Sequence, residues 1–400
     1  MRTTITNDMP EWVITGAHTM LPDGTLEDAC VRVAGSSIVE VTADEGQPND
    51  RRIDGAGRWL LPGIVDLHGD AFEHLLMPRP SVYFATGMAL AEVDRQVCAN
   101  GITTAFHGLT YSWEPGLRGG DTVREVINTM ERLESSLGAD TRLHLRYEMH
   151  NIDAVDEVEQ WLREKRFSLL SLNDHAQMIL DRLDRADKLS EYTGRSGLSA
   201  KEYAALVERV IARGDEVDAT VQRVCDAARA QGVVIASHDD ESPEWRRHFR
   251  ARGARICEFP CNKPTAMEAH AAGDPIVLGA PNVLRGHSHD GRLDASSAIA
   301  SGLCNALASD YYYPSLAAAP FRLVERGVSE LANAWSLVSS GPAAAAGLCD
   351  RGYIEAGRRA DMVLMDFDPD GNPAIAATIA GGRLVHAAAP DLCSAVSRAA

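Results

Sequence analysis

Lysine is almost missing from this sequence: Lys165, Lys188, Lys201 and Lys263 are the only four among 400 residues. Aromatic residues make up 6%, and the formal net charge is −18. Grip on a nucleic-acid backbone needs clustered Lys and Arg, so this balance argues against a nucleic-acid partner. Tyr and Trp form no stripe on which bases could stack. No apolar run is long enough to span a bilayer, and the opening MRTTITNDMPEW lacks the apolar core of a leader. The expectation is a cytoplasmic protein with no membrane partner. The eight cysteines are scattered. Cys257 and Cys261 lie nearest each other, and no second pair completes a structural zinc site or a disulfide framework, so buried free thiols are expected. A P-loop is absent, and DGAGRW (54–59) lacks the spacing of a dinucleotide fingerprint.

An apolar fraction of 45% and a charged fraction of 24% suit a globular chain, long enough for one large unit and a smaller one. The two ends resemble each other. Residues 11–60 hold short alternating runs such as WVITGAHTML and CVRVAGSSIVEV, and residues 352–387 repeat that style around a GNP turn. Both read as antiparallel β, too small to bury a face alone, so they are expected to pair into one small β-sandwich domain formed by residues 1–61 and 350–400.

Between them, over 62–349, buried-strand runs alternate with helical ones. The strands are read at 63–68, 102–108, 142–148, 167–173, 233–238, 255–260, 275–281 and 306–310. Amphipathic stretches such as DTVREVINTMERLESSL and DAVDEVEQWLREKR lie between them. This alternation predicts an α/β protein with a (β/α)8 TIM barrel. The connection over 176–220 is unusually long and is read as a functional lid.

Chemistry in such a barrel sits at the carboxyl ends of the strands. There the sequence places His68-Gly69-Asp70, Glu148, Asp174-His175, His238-Asp239-Asp240 and Ser309-Asp310. Imidazole and carboxylate are donors for a divalent metal, zinc first, with manganese or ferrous iron also accepted. A lone strand-end His is usually just a hydrogen-bonded polar residue. Five coincidences on one face instead predict a metal site built from His68, Asp70, His175, His238 and Asp310, with Glu148 as a sixth candidate and His107 as a spare.

The runs LPGIVDLH, ITTAFHG, SHDD, ASDYYYP and GRRADMVLMD together resemble the amidohydrolase superfamily over nearly the whole chain. His68-x-Asp70 in place of the usual His-x-His, with MPRP (77–80), NDH (173–175), GAPNVLRG (279–286) and ASDYYYP (308–314), resembles one branch of it. That branch is the α-D-ribose 1-methylphosphonate 5-triphosphate diphosphatases of bacterial phosphonate degradation. HAQMIL (175–180) and FPCNKPTA (259–266) depart from the branch's usual loops. The resemblance implies one or two metals, with Glu148 either bridging them or standing behind a ligand, because no lysine is placed to bridge. It implies a metal-activated hydroxide attacking the 5-triphosphate, pyrophosphate departing, and Asp310 as general base and acid. The anionic substrate would be held by Arg79, Asn282, Arg285, Lys263 and His289, each of which could equally be an ordinary surface polar residue. A C–N amidohydrolase or deaminase acting on a small polar cyclic amide or aminated ring stays open as the alternative. A barrel that has lost catalysis should show degraded ligands, which these are not. Homo-oligomers are common among related enzymes, and no interface signature is visible here.

Overall fold

The computed structural model describes residues 11–44, 51–286, 291–368, 371–388 and 392. Five strands open the chain: β1 (Trp12–Met20), β2 (Leu26–Ala34), β3 (Ser37–Thr42), β4 (Arg51–Asp54) and β5 (Trp59–Pro62). Eight more follow: β6 (Ile64–Gly69), β7 (Ile102–Tyr111), β8 (Asp140–Glu148), β9 (Leu169–Asn173), β10 (Val234–His238), β11 (Ile256–Glu258), β12 (Ile276–Gly279) and β13 (Ala306–Ala308). The last three are β14 (Met362–Phe367), β15 (Pro373–Ala380) and β16 (Arg383–Ala387).

Strands β6 to β13 lie in sequence order, each parallel to the next, as a nearly closed (β/α)8 barrel. All eight coincide with strands read from the sequence, with shorter carboxyl ends in β11, β12 and β13. The run at 275–281 stops being strand at Gly279 because Pro281, whose ring suits a helix's first turn, opens the helix Ala280–Arg285. The two amphipathic stretches appear as helices Gly120–Leu133 and Val155–Arg163, each burying its valines.

The chain ends form a second sheet in the order β16-β15-β14-β5-β1-β2-β3, with β4 also on β1. The join between the termini is the antiparallel pair β14–β5. The sheet is mixed rather than purely antiparallel, because β4 and β5 both run parallel to β1. Its core holds Ile14, Val31, Ile38, Leu60, Met362 and Ile379. No helix among the described residues is long and apolar enough to cross a membrane.

The connection after β9 is helical rather than a loop, with helices Ala176–Leu180, Ala186–Ser196 and Ala200–Ile211. Ser199 and Glu202 close a reciprocal capping box at the start of the third. Ile179, Tyr192, Tyr203 and Val207 give the insertion a core of its own, packed against Trp113. Glu114 is buried beneath it and accepts from Arg195 Nε at 2.6 Å and Tyr203 O–H at 2.7 Å. That carboxylate anchors the insertion to the loop after β7.

The barrel's seam is closed by one buried carboxylate. Asp66 Oδ1 accepts from the backbone of His68 (3.2 Å) and Ser309 (3.0 Å), while Oδ2 accepts from Ser309 Oγ (2.5 Å). A Cβ on Gly69 would stand 2.8 Å from Asp66 Oδ2, 3.0 Å from Ser309 Oγ and 3.0 Å from the Tyr313 ring, so only glycine fits there. Backbone bonds from Asp310 N to His68 O and from Asp70 N to Asp310 O, both 2.9 Å, complete the join. Asp66→Ala strands these buried donors, so we expect a loss of about 2–4 kcal/mol in urea unfolding. An unchanged midpoint would show that the seam closes without this group.

Candidate metal centre

Strand-end residues converge at the carboxyl mouth of the barrel. One donor atom each from His68, Asp70 and Asp310 lies within 4.8 Å of the others, and the same holds for His175, His238 and Asp239. A third group, His68, His144 and Glu258, meets the same criterion on the barrel floor. Thus five sequence-read ligands fall into two adjacent triads. Asp239, passed over in the sequence, completes the second.

The chain bends sharply to make these triads. Asp239, Phe259 and Asp310 follow β10, β11 and β13 with φ of 59°, 52° and 56°, in the left-handed region that residues with a Cβ rarely occupy. Three such residues at the mouth mark backbone held in place by its surroundings. Part of that support is Arg246, which is fully buried and donates to Ser237 Oγ at 2.5 Å, Asp240 Oδ2 at 3.3 Å and Ile256 O at 3.1 Å.

Charge is distributed unevenly. Burial pushes His68 down to about 3, helped by the Arg146 guanidinium, and burial likewise lowers His238, so both rings are neutral. His68 Nδ1 and Nε2 and His238 Nδ1 are buried with no hydrogen-bond partner. Burial also raises Asp310 to about 7, with the neighbouring Asp70 adding to the effect. His175 differs. Burial lowers it, but Glu148 and Asp239 outweigh that and hold it up at about 9. The unpartnered neutral His68 imidazole, beside the carboxylates of Asp70 and Asp310, is donor chemistry suited to a divalent metal, and these residues fit one.

Glu148 falls in none of the three groups; its Oε1 accepts from His175 Nδ1 at 2.7 Å. It stands behind the ligand, fixing which ring nitrogen faces the mouth. Burial raises this carboxyl, but His175 and Arg146 more than reverse the shift. His107 is buried against the Phe72 ring, 5.5 Å between centroids, and joins no group.

Arg146 is the main residue the sequence reading missed. Its Nη1 donates to Asp70 Oδ2 at 2.9 Å and its Nη2 lies 3.4 Å from His238 Nε2, so a cation links the two triads. Gly108 on the next strand leaves it room, since a Cβ there would be 3.0 Å from Arg146 Cδ. The signal was present: His144, Arg146 and Glu148 alternate along β8 and share one face. Glu258 was overlooked similarly at the end of β11. It is fully buried, its Oε2 is 3.4 Å from His68 Nδ1, and neither oxygen has a hydrogen-bond partner.

The expected substrate residues scatter. Arg285 and Asn282 line a cavity of about 370 Å³ with His238, Asp239 and Asp310. The Asn282 side chain, however, is committed to holding the loop, donating to Leu293 O and accepting from Ala295 N. Arg79 lines a second cavity of about 410 Å³, which shares Asp310 and Tyr311 with the first. Lys263 does not serve as predicted: it is exposed at the start of helix Lys263–Ala271 and its amine turns to Ser301 Oγ at 3.4 Å. His289 lies outside the described residues.

No protein-family model matches the chain. It is 32% identical over 321 residues to the α-D-ribose 1-methylphosphonate 5-triphosphate diphosphatase of Escherichia coli (strain K12), covering 78% of this chain and 84% of that protein. It is 26% identical over 380 residues to an adenine deaminase of Methylobacterium sp. (strain 4-46), covering 91% of this chain and 56% of that one. Among solved structures, an amidohydrolase from an environmental sample of the Sargasso Sea superposes with a TM-score of 0.65 at 14% identity, over 98% of this chain and 97% of that chain.

His175 must lose its Nε2 proton to ligate, while Nδ1 stays on Glu148. With the ring held up at about 9, it is cationic at neutral pH. Adding zinc to metal-stripped protein at pH 7.5 should therefore release protons, and the metal affinity should climb with pH until about 9. Calorimetry in buffers of different ionisation enthalpy reads this directly. Binding with no proton exchange would remove His175 from the ligand set.

Proposed function

The chain belongs to the amidohydrolase superfamily, in the branch that includes the α-D-ribose 1-methylphosphonate 5-triphosphate diphosphatase, and from this we propose that it hydrolyses that triphosphate to the 5-phosphate and pyrophosphate. The observation that carries the proposal is Asp310. It stands beside His68 and Asp70, where the two cavities meet. Arg182 and Arg285 in the wall of the first cavity support an anionic substrate over a neutral ring.

His68, Asp70 and Asp310 would hold one divalent ion and His175, His238 and Asp239 a second, with zinc the proposed metal. When bound, such ions lower the pKa of water and offset charge on phosphoryl oxygens. The remaining work belongs to the chain. Asp310 takes one proton from the attacking water, whose oxygen forms a bond to phosphorus at the anhydride. The bond from that phosphorus to the bridging oxygen breaks, pyrophosphate departs, and Asp310 returns the proton to it. Glu148 keeps the His175 ring oriented throughout, and Arg146 holds Asp70 in place.

The second reading is a C–N hydrolase, favoured by the likeness to an adenine deaminase. Metal-loaded protein should release pyrophosphate from the ribosyl triphosphate and no ammonia from aminated rings or amine from cyclic amides; the reverse pattern would replace our reading. Asp310→Asn should lower kcat by about 10²–10⁴, and full activity in that variant would end the proposed proton transfer.

A further inference from the structure

The two cavities differ in charge and surface. The first is walled by Arg146, Arg182, Arg285 and Arg292 against three carboxylates, Glu191, Asp239 and Asp310. Arg146 and Arg292 are already paired, with Asp70 at 2.9 Å and Asp239 at 2.5 Å. Arg182 and Arg285 face no carboxylate partner among the described residues. Arg182 comes from the helical insertion and Arg285 from the helix after β12, so two separate segments bring them to one cavity.

The second cavity has three arginines against four carboxylates, and two of its cations are neutralised. Arg118 pairs with Glu73 at 2.8 Å and Arg195 with the buried Glu114 at 2.6 Å. Arg79 has no carboxylate partner among the described residues. Around it stand Met77, Pro78, Pro80 and Leu117, an apolar surface beside one unpaired guanidinium.

We propose that the site is two-ended: Arg182 and Arg285 receive the departing pyrophosphate, and Arg79 with its apolar surround receives the methylphosphonate end. The inference rests on the diphosphatase reading and deepens it by giving the substrate a direction. A pyrophosphate carries several charges and suits two forks. A methylphosphonate offers fewer oxygens and a methyl group, which suits one fork beside Met77 and Leu117. Both cavities lie in the size range of small-ligand sites, and Asp310, which they share, falls between the two anionic ends. The insertion thereby becomes part of the specificity machinery, because it brings Arg182.

The test is direct binding of two probes, inorganic pyrophosphate and methylphosphonate, by calorimetry on metal-loaded protein. The double variant Arg182→Ala/Arg285→Ala should weaken pyrophosphate at least tenfold and leave methylphosphonate within twofold. Arg79→Ala should do the opposite. Pyrophosphate reaches the metals in every variant, so differences between variants read the arginines, and unchanged melting temperatures exclude misfolding. The proposal is overturned if the double variant binds pyrophosphate normally, or if Arg79→Ala weakens pyrophosphate as much as methylphosphonate. Should the wild-type protein release no pyrophosphate from the ribosyl triphosphate while the probes still partition as stated, the two-ended site stands and only the assigned reaction falls.

Discussion

The buried carboxylate of Asp66 ties the first barrel strand to the last, where His68 and Asp310 stand. A barrel of parallel strands has its last and first strands far apart in sequence, and no hairpin turn can set their register. Here β13 is three residues long and offers few ladder bonds of its own. Asp66 supplies what the ladder lacks by accepting from His68 N, Ser309 N and Ser309 Oγ together. Its own ionisation is costly. Burial raises it to about 6 in spite of those three donors, so it is satisfied by geometry more than by solvent. The reward is positional, because it fixes the residues on either side of the seam, His68 and Asp310, to each other.

That join explains the crowding of charge. With the ends of β6, β10 and β13 brought to a common mouth, Asp70, Asp239 and Asp310 converge. Asp310 responds by holding its proton to about 7, with burial and then Asp70 as the causes. Arg146 offsets part of this repulsion from within, touching Asp70 and His238 together. A guanidinium suits that place better than an ammonium. It remains charged when buried and its planar fork spans two partners, whereas a buried lysine would tend to neutralise. The scarcity of lysine in the chain is consistent with a site whose cations must survive desolvation.

Much of this was legible beforehand. The barrel, the pairing of the two ends and five strand-end donors could be read because strand–helix alternation and period-two alternation are local properties of sequence. Arg146, His144 and Glu258 were as visible in principle, on the inward face of β8 and at the end of β11, yet an arginine amid histidines does not advertise a metal site. What sequence could not show were three-dimensional commitments. Asn282 spends its amide on Leu293 and Ala295, and Lys263 turns to Ser301. Such local alternatives for a polar side chain depend on which backbone groups the fold leaves nearby. The same holds for the insertion, which its length alone marked as a functional lid. It is three helices packed around Tyr192 and Tyr203, with Arg195 turned inward to the buried Glu114.

The insertion also divides the labour between scaffold and selector. The donors of the two triads lie at barrel strand ends or within two residues beyond them, where the sheet sets the approach of the backbone. Arg79, Arg182 and Arg285, which have no carboxylate partner among the described residues, come from no strand: Arg79 follows β6, Arg182 belongs to the insertion and Arg285 closes a short helix. Donors that must meet within ångströms need rigid supports, while cations that attract a polyanion act over longer range and tolerate looser ones. A barrel that kept its strand ends and exchanged these three segments would retain its metals and change its substrate. Deaminases and a diphosphatase can thus share similarity with one chain, and the reaction must be sought in the walls of the two cavities rather than in the ligands between them.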